Sequence, residues 1–369
     1  MSCTTIELAQ FSPGTRRDLT ICRFGRPGKG PKAYVQASMH ADELPATLAA
    51  QHLRALLQQA GEEDRIMGEI ILVPAANPIG FSQLLLDHHM GRHHCPSGRN
   101  FNRFWPDATA AVMAQEAQFT PDPAVNLARA RRIIRGFLDE QAPHAEDEAL
   151  KLELMKLAHD ADIVLDMHTD LDAELHLYID PGHWPGLRDL AALLRAGVVM
   201  FARHSGGNPF EETVAAPFLA MREADIPCTL PITVTIELRG QLDVDDELAR
   251  ADARAIFDFL ILRGLVQGEA EAGDFTGIAA PFEATGLVRA PTGGIIIYEC
   301  PLGAMVRKGE TIAHIADPLT ARRTPVKANQ TGRLFTRNLH RLVHAGDVIA
   351  KIQGTSPLPE RKQGALMTD

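Results

Sequence analysis

A chain of 369 residues with 45% apolar and 23% charged positions can bury one large core and a smaller second one, as an ordinary globular protein does. Its formal net charge of −10 excludes a general affinity for nucleic acid, which requires clustered Lys and Arg. No apolar run approaches the ~20 residues of a membrane helix.

The N-terminus, Met1-Ser2-Cys3-Thr4-Thr5, lacks a basic stretch followed by an apolar segment, so no secretory signal is read there. Five dispersed cysteines, Cys3, Cys22, Cys95, Cys228 and Cys300, contain no C-x-x-C pair and predict free thiols in a reducing, cytoplasmic setting.

In chain order, short β-branched runs alternate with amphipathic stretches. The pattern predicts strands at Ala33–Ser38, Ile70–Ala75, Ile163–Met167, Leu175–Ile179, Val198–Ala202 and Ile232–Leu238. Helices are predicted at Pro45–Gln59, Val125–Asp139, Glu148–His159 and Asp245–Leu262, the first with Pro in its opening turn. This alternation predicts an α/β fold, a mixed and mainly parallel sheet flanked by helices. Ligands of such sheets gather at the carboxyl ends of the strands.

Four segments could carry chemistry. His40 and Glu43 follow the first predicted strand, where an imidazole and a carboxylate three apart can turn toward one metal; a capping Glu beside a surface His is the other reading. The loop His88-His89-Met90-Gly91-Arg92-His93-His94 could shape a pocket mouth or offer imidazoles to a metal. Arg99 and Arg103 stand in Gly98-Arg99-Asn100-Phe101-Asn102-Arg103, either as solvated turn residues or as carboxylate-binding guanidiniums.

The strand Ile163–Met167 ends in Asp166-Met167-His168-Thr169. Residues i and i+2 of a strand share a face, so Asp166 and His168 can approach one pocket. A carboxylate beside a ligating imidazole is a familiar supporting partner. Glu237, late in the strand Ile232–Leu238, suits a core only with a partner, either a nearby Arg or a bound water that it deprotonates.

After about Gly268 the character changes. Residues 269–284 read as a linker, 285–355 as an all-β domain and 356–369 as a tail, leaving 1–268 as the catalytic unit. The β segment repeats itself: Val288-Arg289-Ala290 runs to Val306–Ile315, and Val326-Lys327-Ala328 runs to Val343–Ile352. This resembles the barrel-sandwich of biotinyl and lipoyl domains. The hairpin between the halves, Ala316–Pro325, has no Lys at its tip to carry a prosthetic group. The expected role is to limit substrate size, with no catalytic residue from the barrel.

Together the motifs resemble the succinylglutamate desuccinylase/aspartoacylase family, relatives of the zinc carboxypeptidases. G-x-H-x-x-E appears as Ser38–Glu43 with Ser for Gly, N-P-x-G as Asn77–Gly80, [DN]-[LF]-N-R as Asn100–Arg103, D-x-H-[TN] as Asp166–Thr169, and T-x-E as Thr235–Glu237. The resemblance implies Zn2+ held by His40, Glu43 and His168, with Glu237 as the base. It also implies that Asn102 and Arg103 hold a substrate carboxylate. The family's carbonyl-polarising Arg is carried to Arg92, with Arg99 as the alternative.

The implied function is a zinc-dependent amidohydrolase deacylating an N-acyl amino acid or similar small carboxylate-bearing amide, with no nucleic-acid or membrane partner. A homo-oligomer is compatible with this reading. Rival readings are a metallocarboxypeptidase acting on short peptides, a non-catalytic binding or carrier protein, and a pseudoenzyme.

Overall fold

A computed structural model describes residues 2–362. In chain order the first half contains β1 (Ser2–Glu7), β2 (Asp18–Gly25), β3 (Lys32–Ala37), α1 (Leu44–Glu62), β4 (Glu69–Val73) and a small hairpin of β5 (Leu84–Leu85) and β6 (His88–His89). It continues with α2 (Thr109–Met113), α3 (Pro123–Asp139), α4 (Glu146–Ala158), β7 (Ile163–Asp170), β8 (Asp172–Ala173) and β9 (His176–Ile179). Then come α5 (Trp184–Leu193), β10 (Val198–Phe201), α6 (Phe210–Glu223), β11 (Ile232–Gly240), α7 (Asp246–Leu262) and β12 (Ile278–Pro281).

Nine strands form one sheet in the order β1-β2-β4-β3-β7-β11-β9-β10-β12. Pairing is parallel from β4 through β3 and β7 to β11, and again across β9, β10 and β12. It is antiparallel at β1/β2, β2/β4 and β11/β9. The inner strands, such as β3, β4 and β7, are buried on both faces, which explains their nearly uninterrupted apolar runs. Ala33, Val35, Leu165, Met167, Val234 and Ile236 point to the core shared with α1, α5 and α7. Tyr34 and Val164, one residue out of phase, join the core under α3, α4 and α6.

That alternation decides where the polar strand residues go. Gln36, Asp166, His168, Thr235 and Glu237 all leave the first core and face the opposite side. The registers Gln36↔Asp166, Thr235↔Asp166 and Glu237↔His168 set them in adjacent rows.

The cysteine expectation needs correction. Cys3 and Cys22 are cross-strand neighbours on β1 and β2 and are joined by a disulfide. Only Cys95, Cys228 and Cys300 are free thiols among the described residues. Dispersion along the chain is no guide here, because antiparallel pairing brings together residues 19 apart. No helix among the described residues is long and apolar enough to cross a membrane.

Ile278–Pro281, within the stretch expected to be a linker, is the sheet's edge strand β12. The C-terminal β unit follows: β13 (Thr285–Arg289), β14 (Gly294–Tyr298), β15 (Met305–Val306), β16 (Thr311–Ala316), β17 (Arg323–Lys327), β18 (Gly332–Arg337), β19 (Leu342–Val343) and β20 (Val348–Gln353). Its two sheets run β13-β20-β18-β15 and β17-β16-β14-β19. Each sheet therefore takes two strands from each sequence repeat, around a core that includes Val288, Ile315, Val326 and Ile352. The tail beyond Lys362 lies outside the described residues.

Candidate metal centre and active site

His40 and Glu43 sit in the turn between β3 and α1. Glu43 occupies the N-cap position of α1, yet its side chain makes no capping bond. It is buried and turned inward instead. Its Oε1 lies 2.9 Å from His40 Nδ1 and its Oε2 lies 2.8 Å from His168 Nδ1. The Thr169 backbone N–H also donates to Oε2, at 3.1 Å. One ligand atom each from His40, Glu43 and His168 falls within 4.8 Å of the others, and all three residues are buried.

The start of this turn explains the Ser found where the motif has Gly. Ser38 has φ of 63°, the left-handed region that favours glycine. Its hydroxyl is hydrogen-bonded to that of Thr47 on α1, a local partner that helps hold the conformation.

The outer nitrogens of both imidazoles are also held. His40 Nε2 is 2.8 Å from Asn100 Oδ1, and His168 Nε2 is 2.9 Å from Asp166 Oδ2. Asp166 Oδ1 in turn accepts from Gln36 Nε2 at 2.9 Å. These acceptors fix each ring so that Nδ1 faces the centre, the arrangement that outer partners impose on metal-binding histidines. Asn100 was visible in the sequence only as a motif letter, and its tie to His40 spans 60 residues.

The electrostatics suit a cation. Burial alone would raise the Glu43 carboxyl, but His40 and His168 outweigh it and hold Glu43 well below the usual carboxylate range. Burial likewise opposes charge on His168, but Asp166 and Glu43 hold it well above the usual imidazole value. A fully buried, anionic carboxylate between two oriented imidazoles fits a divalent metal such as zinc, with His40, Glu43 and His168 as the ligands. Replacing either Asn100 or Asp166 by Ala is expected to weaken metal affinity by about 10–100-fold. Competition with a calibrated chelator measures this, and unchanged affinity in both variants would refute the supporting role.

Glu237 stands beside His168 across the β7/β11 register. Its Oε2 is buried without a hydrogen-bond partner, and the nearby Arg239 is engaged by Asp252 instead. The Arg nearest to Glu237 in sequence therefore does not neutralise it. Burial first, and then the charge of Glu43, push the Glu237 carboxyl up to about 8.

Glu211, in the first turn of α6, is a second buried carboxyl on this cavity that the sequence reading missed. Burial and the adjacent Glu212 push it up to about 8, and its Oε2 has no hydrogen-bond partner. The only sequence signal was an acidic pair opening an amphipathic stretch, which reads equally well as a solvated helix start.

The arginines separate. Arg92 Nη1 lies 3.3 Å from both His40 Nδ1 and Glu43 Oε1. Its loop is pressed onto the ligand turn at Gly91, where a Cβ would meet the Asp42 amide nitrogen at 2.2 Å. Arg103 is 4% exposed and lines the same cavity, with Gly207 packed so closely that a Cβ there would meet Arg103 Nε at 2.5 Å.

Asn102 is locked by Trp105 Nε1 and the Phe210 amide, both donating to its Oδ1 at 2.9 Å, and its Nδ2 lies 3.2 Å from His168 Nε2. Arg99 is placed elsewhere. It pairs with Glu148 at 3.0 Å, lies over the Phe104 ring and borders a separate cavity. The structure thus gathers Arg92, Asn102 and Arg103 at the cluster and leaves Arg99 out. In the His-rich loop, His94 faces Glu146 and Ser97, and no second His/Cys/Asp/Glu metal cluster occurs among the described residues.

The metal-side cavity is small, about 40 Å³, and is lined by His40, Glu43, His168, Arg103, Glu211 and Glu237 among others. A larger cavity of about 590 Å³ lies between α5, α7 and the barrel and touches none of these residues.

Solved structures share the fold over nearly the whole chain. A succinylglutamate desuccinylase/aspartoacylase family protein from Shewanella amazonensis SB2B aligns with a TM-score of 0.84 at 22% identity, covering 96% of this chain and 98% of its own. One from Shewanella frigidimarina NCIMB 400 gives 0.83 at 21% identity, covering 95% and 96%. The product-bound ectoine utilization protein EutE (DoeB) from Ruegeria pomeroyi gives 0.69 at 17% identity, covering 95% and 94%. A search of curated protein sequences finds no significant match. The family model for the succinylglutamate desuccinylase/aspartoacylase catalytic domain matches residues 29–263, well over half of the chain and inclusive of every residue at the cluster, so the chain belongs to that family.

Proposed function

We propose that the chain is a zinc-dependent amidohydrolase that removes the acyl group from an N-acyl amino acid or similar small carboxylate-bearing amide. The observation that carries this reading is the Glu237 carboxyl beside the His40-Glu43-His168 cluster, its Oε2 buried without a hydrogen-bond partner. Zinc bound there would lower the pKa of a water and polarise the scissile carbonyl.

The chain's own residues supply the rest. Glu237 takes the proton from the attacking water and returns it to the departing amine; its raised affinity for a proton suits both halves of that task. Arg92, beside the cluster, donates hydrogen bonds to the carbonyl oxygen as negative charge grows on it. Arg103 and Asn102 hold a substrate carboxylate and set its distance from the reacting carbon. Arg99 has no part in this scheme. A screen of N-acyl amino acids with the zinc-loaded chain, detecting the released amine, tests the proposal; no turnover on any of them would defeat it.

Arg103→Lys is expected to lower kcat/KM by about 10-fold or more, because a point ammonium cannot reproduce two parallel hydrogen bonds. A methyl ester should be cleaved far less well than the free acid. Equal cleavage of the two would remove the carboxylate grip. A carboxypeptidase acting on peptides shares this chemistry but needs an open cleft, whereas barrel residues Leu287 and Lys351 wall the cavity beside Glu237.

A further inference from the structure

Helix α4 buries Ala149, Leu150, Leu152, Leu154 and Met155, and in the middle of that run it buries a lysine as well. Lys151 is 1% exposed. Taking an ammonium out of water is costly unless its donors are engaged. Asp147, one turn earlier, accepts from Lys151 Nζ at 3.3 Å, which uses one of its three donors. Asp147 is itself shared, since His94 Nδ1 lies 3.5 Å from its other oxygen. Burial outweighs the pairing with Asp147 and lowers the proton affinity of Lys151.

Lys151 lines a cavity of about 300 Å³, the one that Arg99 borders. Its walls include Phe104, Trp105 and Pro143, and it shares no residue with the metal-side cavity. Apolar rings around a few charged groups are the usual make-up of a small-molecule site, and this volume lies at the low end of the roughly 300–1,000 Å³ that such sites span. One ring with a short polar group suits that size.

Phe104 marks the wall in two ways. Its φ of 59° lies in the left-handed region, which a bulky side chain enters only under constraint. Its ring is 69% exposed, so packing returns little for that strain. Arg99 lies over the ring, with Cζ 5.8 Å from the centroid. A flat apolar ligand against Phe104 would supply the contact that the fold does not.

The charges select an anion. Arg99 and Lys151 line the cavity against one carboxylate, Glu148. Glu148 is already engaged by Arg99 at 3.0 Å and by the His144 amide at 2.9 Å. One positive charge of the lining is therefore left over. Trp105, on the same wall, donates to Asn102 Oδ1 at 2.9 Å, and Asn102 Nδ2 lies 3.2 Å from His168 Nε2. The stretch Asn102–Trp105 thus has the metal-side cavity on its first two residues and the Lys151 cavity on its last two.

We propose that Arg99 and Lys151, walled by Phe104 and Trp105, bind a one-ring aromatic monocarboxylate at a site separate from the metal cluster. The site stands independently of the amidohydrolase reading.

The test titrates benzoate into the full zinc-loaded chain by calorimetry, where saturable binding with Kd of about 1 mM or tighter is expected. Indole fluorescence of Trp184→Phe, which leaves Trp105 as the one tryptophan, should follow the same curve. Benzamide, with the ring but no charge, should bind at least ~10-fold more weakly. Arg99→Met should weaken benzoate about 10-fold, and its side chain is half-exposed, so folding is not at stake.

Lys151→Met leaves Asp147 without its ammonium, so the paired variant Asp147→Asn with Lys151→Met is used beside it, with the same ~10-fold loss expected. Arg103→Met, which removes the proposed carboxylate grip on the metal side, should leave benzoate affinity within about 2-fold. No saturable binding overturns the proposal, as does equal binding of benzamide. Affinity kept in Arg99→Met and in the paired variant but lost in Arg103→Met places benzoate at the metal side and overturns it too.

Discussion

His40→Ala and His168→Ala are each expected to lose nearly all bound zinc, where about one equivalent is expected on the unmutated chain. Each variant removes one of the three protein ligands that we propose. The loss should therefore exceed the roughly 10–100-fold that follows removal of an outer partner. The environment adds to it. Without His40, the buried Glu43 keeps His168 and the half-exposed Arg92 as partners. Without His168, Asp166 and Glu43 both lose an imidazole within 2.9 Å.

Breaking such a buried pair costs about 3–5 kcal/mol. The His168 variant should therefore be the less stable of the two as well as metal-free. Elemental analysis after desalting, alongside a thermal melt that verifies folding, gives the answer. Full zinc retention in both folded variants would sink the ligand assignment.

Glu237→Gln is expected to keep zinc and fold yet turn over at least ~100-fold more slowly, the lower range for a general acid–base group. The amide has nearly the same shape as the carboxyl but cannot accept the water's proton. Stability should not fall. The site already disfavours the charged form, through burial and then Glu43, so a neutral amide suits it at least as well. The measurements are kcat on the best substrate of the screen, zinc content and the melting temperature. A kcat within a few-fold of the unmutated chain would remove Glu237 from the mechanism.

The sequence by itself determined the strand parity on which the candidate site depends. Asp166 and His168, like Thr235 and Glu237, are two apart on apolar strands, so each pair had to leave the core on one face. Pro45 after His40 and Glu43 marked the turn into α1. The repeat from Val288 to Ile352 announced a two-fold β unit, because matching apolar positions recur with matching turns.

Tertiary structure alone decided which of these local features meet. The register that sets Glu237 beside His168 spans about 70 residues of chain, and the pairing of Asn100 with His40 spans 60. Neither distance leaves a local periodic signal. The same limit hid the Cys3–Cys22 bond, the departure of Arg99 to Glu148, the buried Glu211 and the arrival of Lys351 at the end of β7. In each case a side chain's partner was chosen by packing between elements remote in sequence. Composition and spacing describe one element at a time and carry no record of that choice.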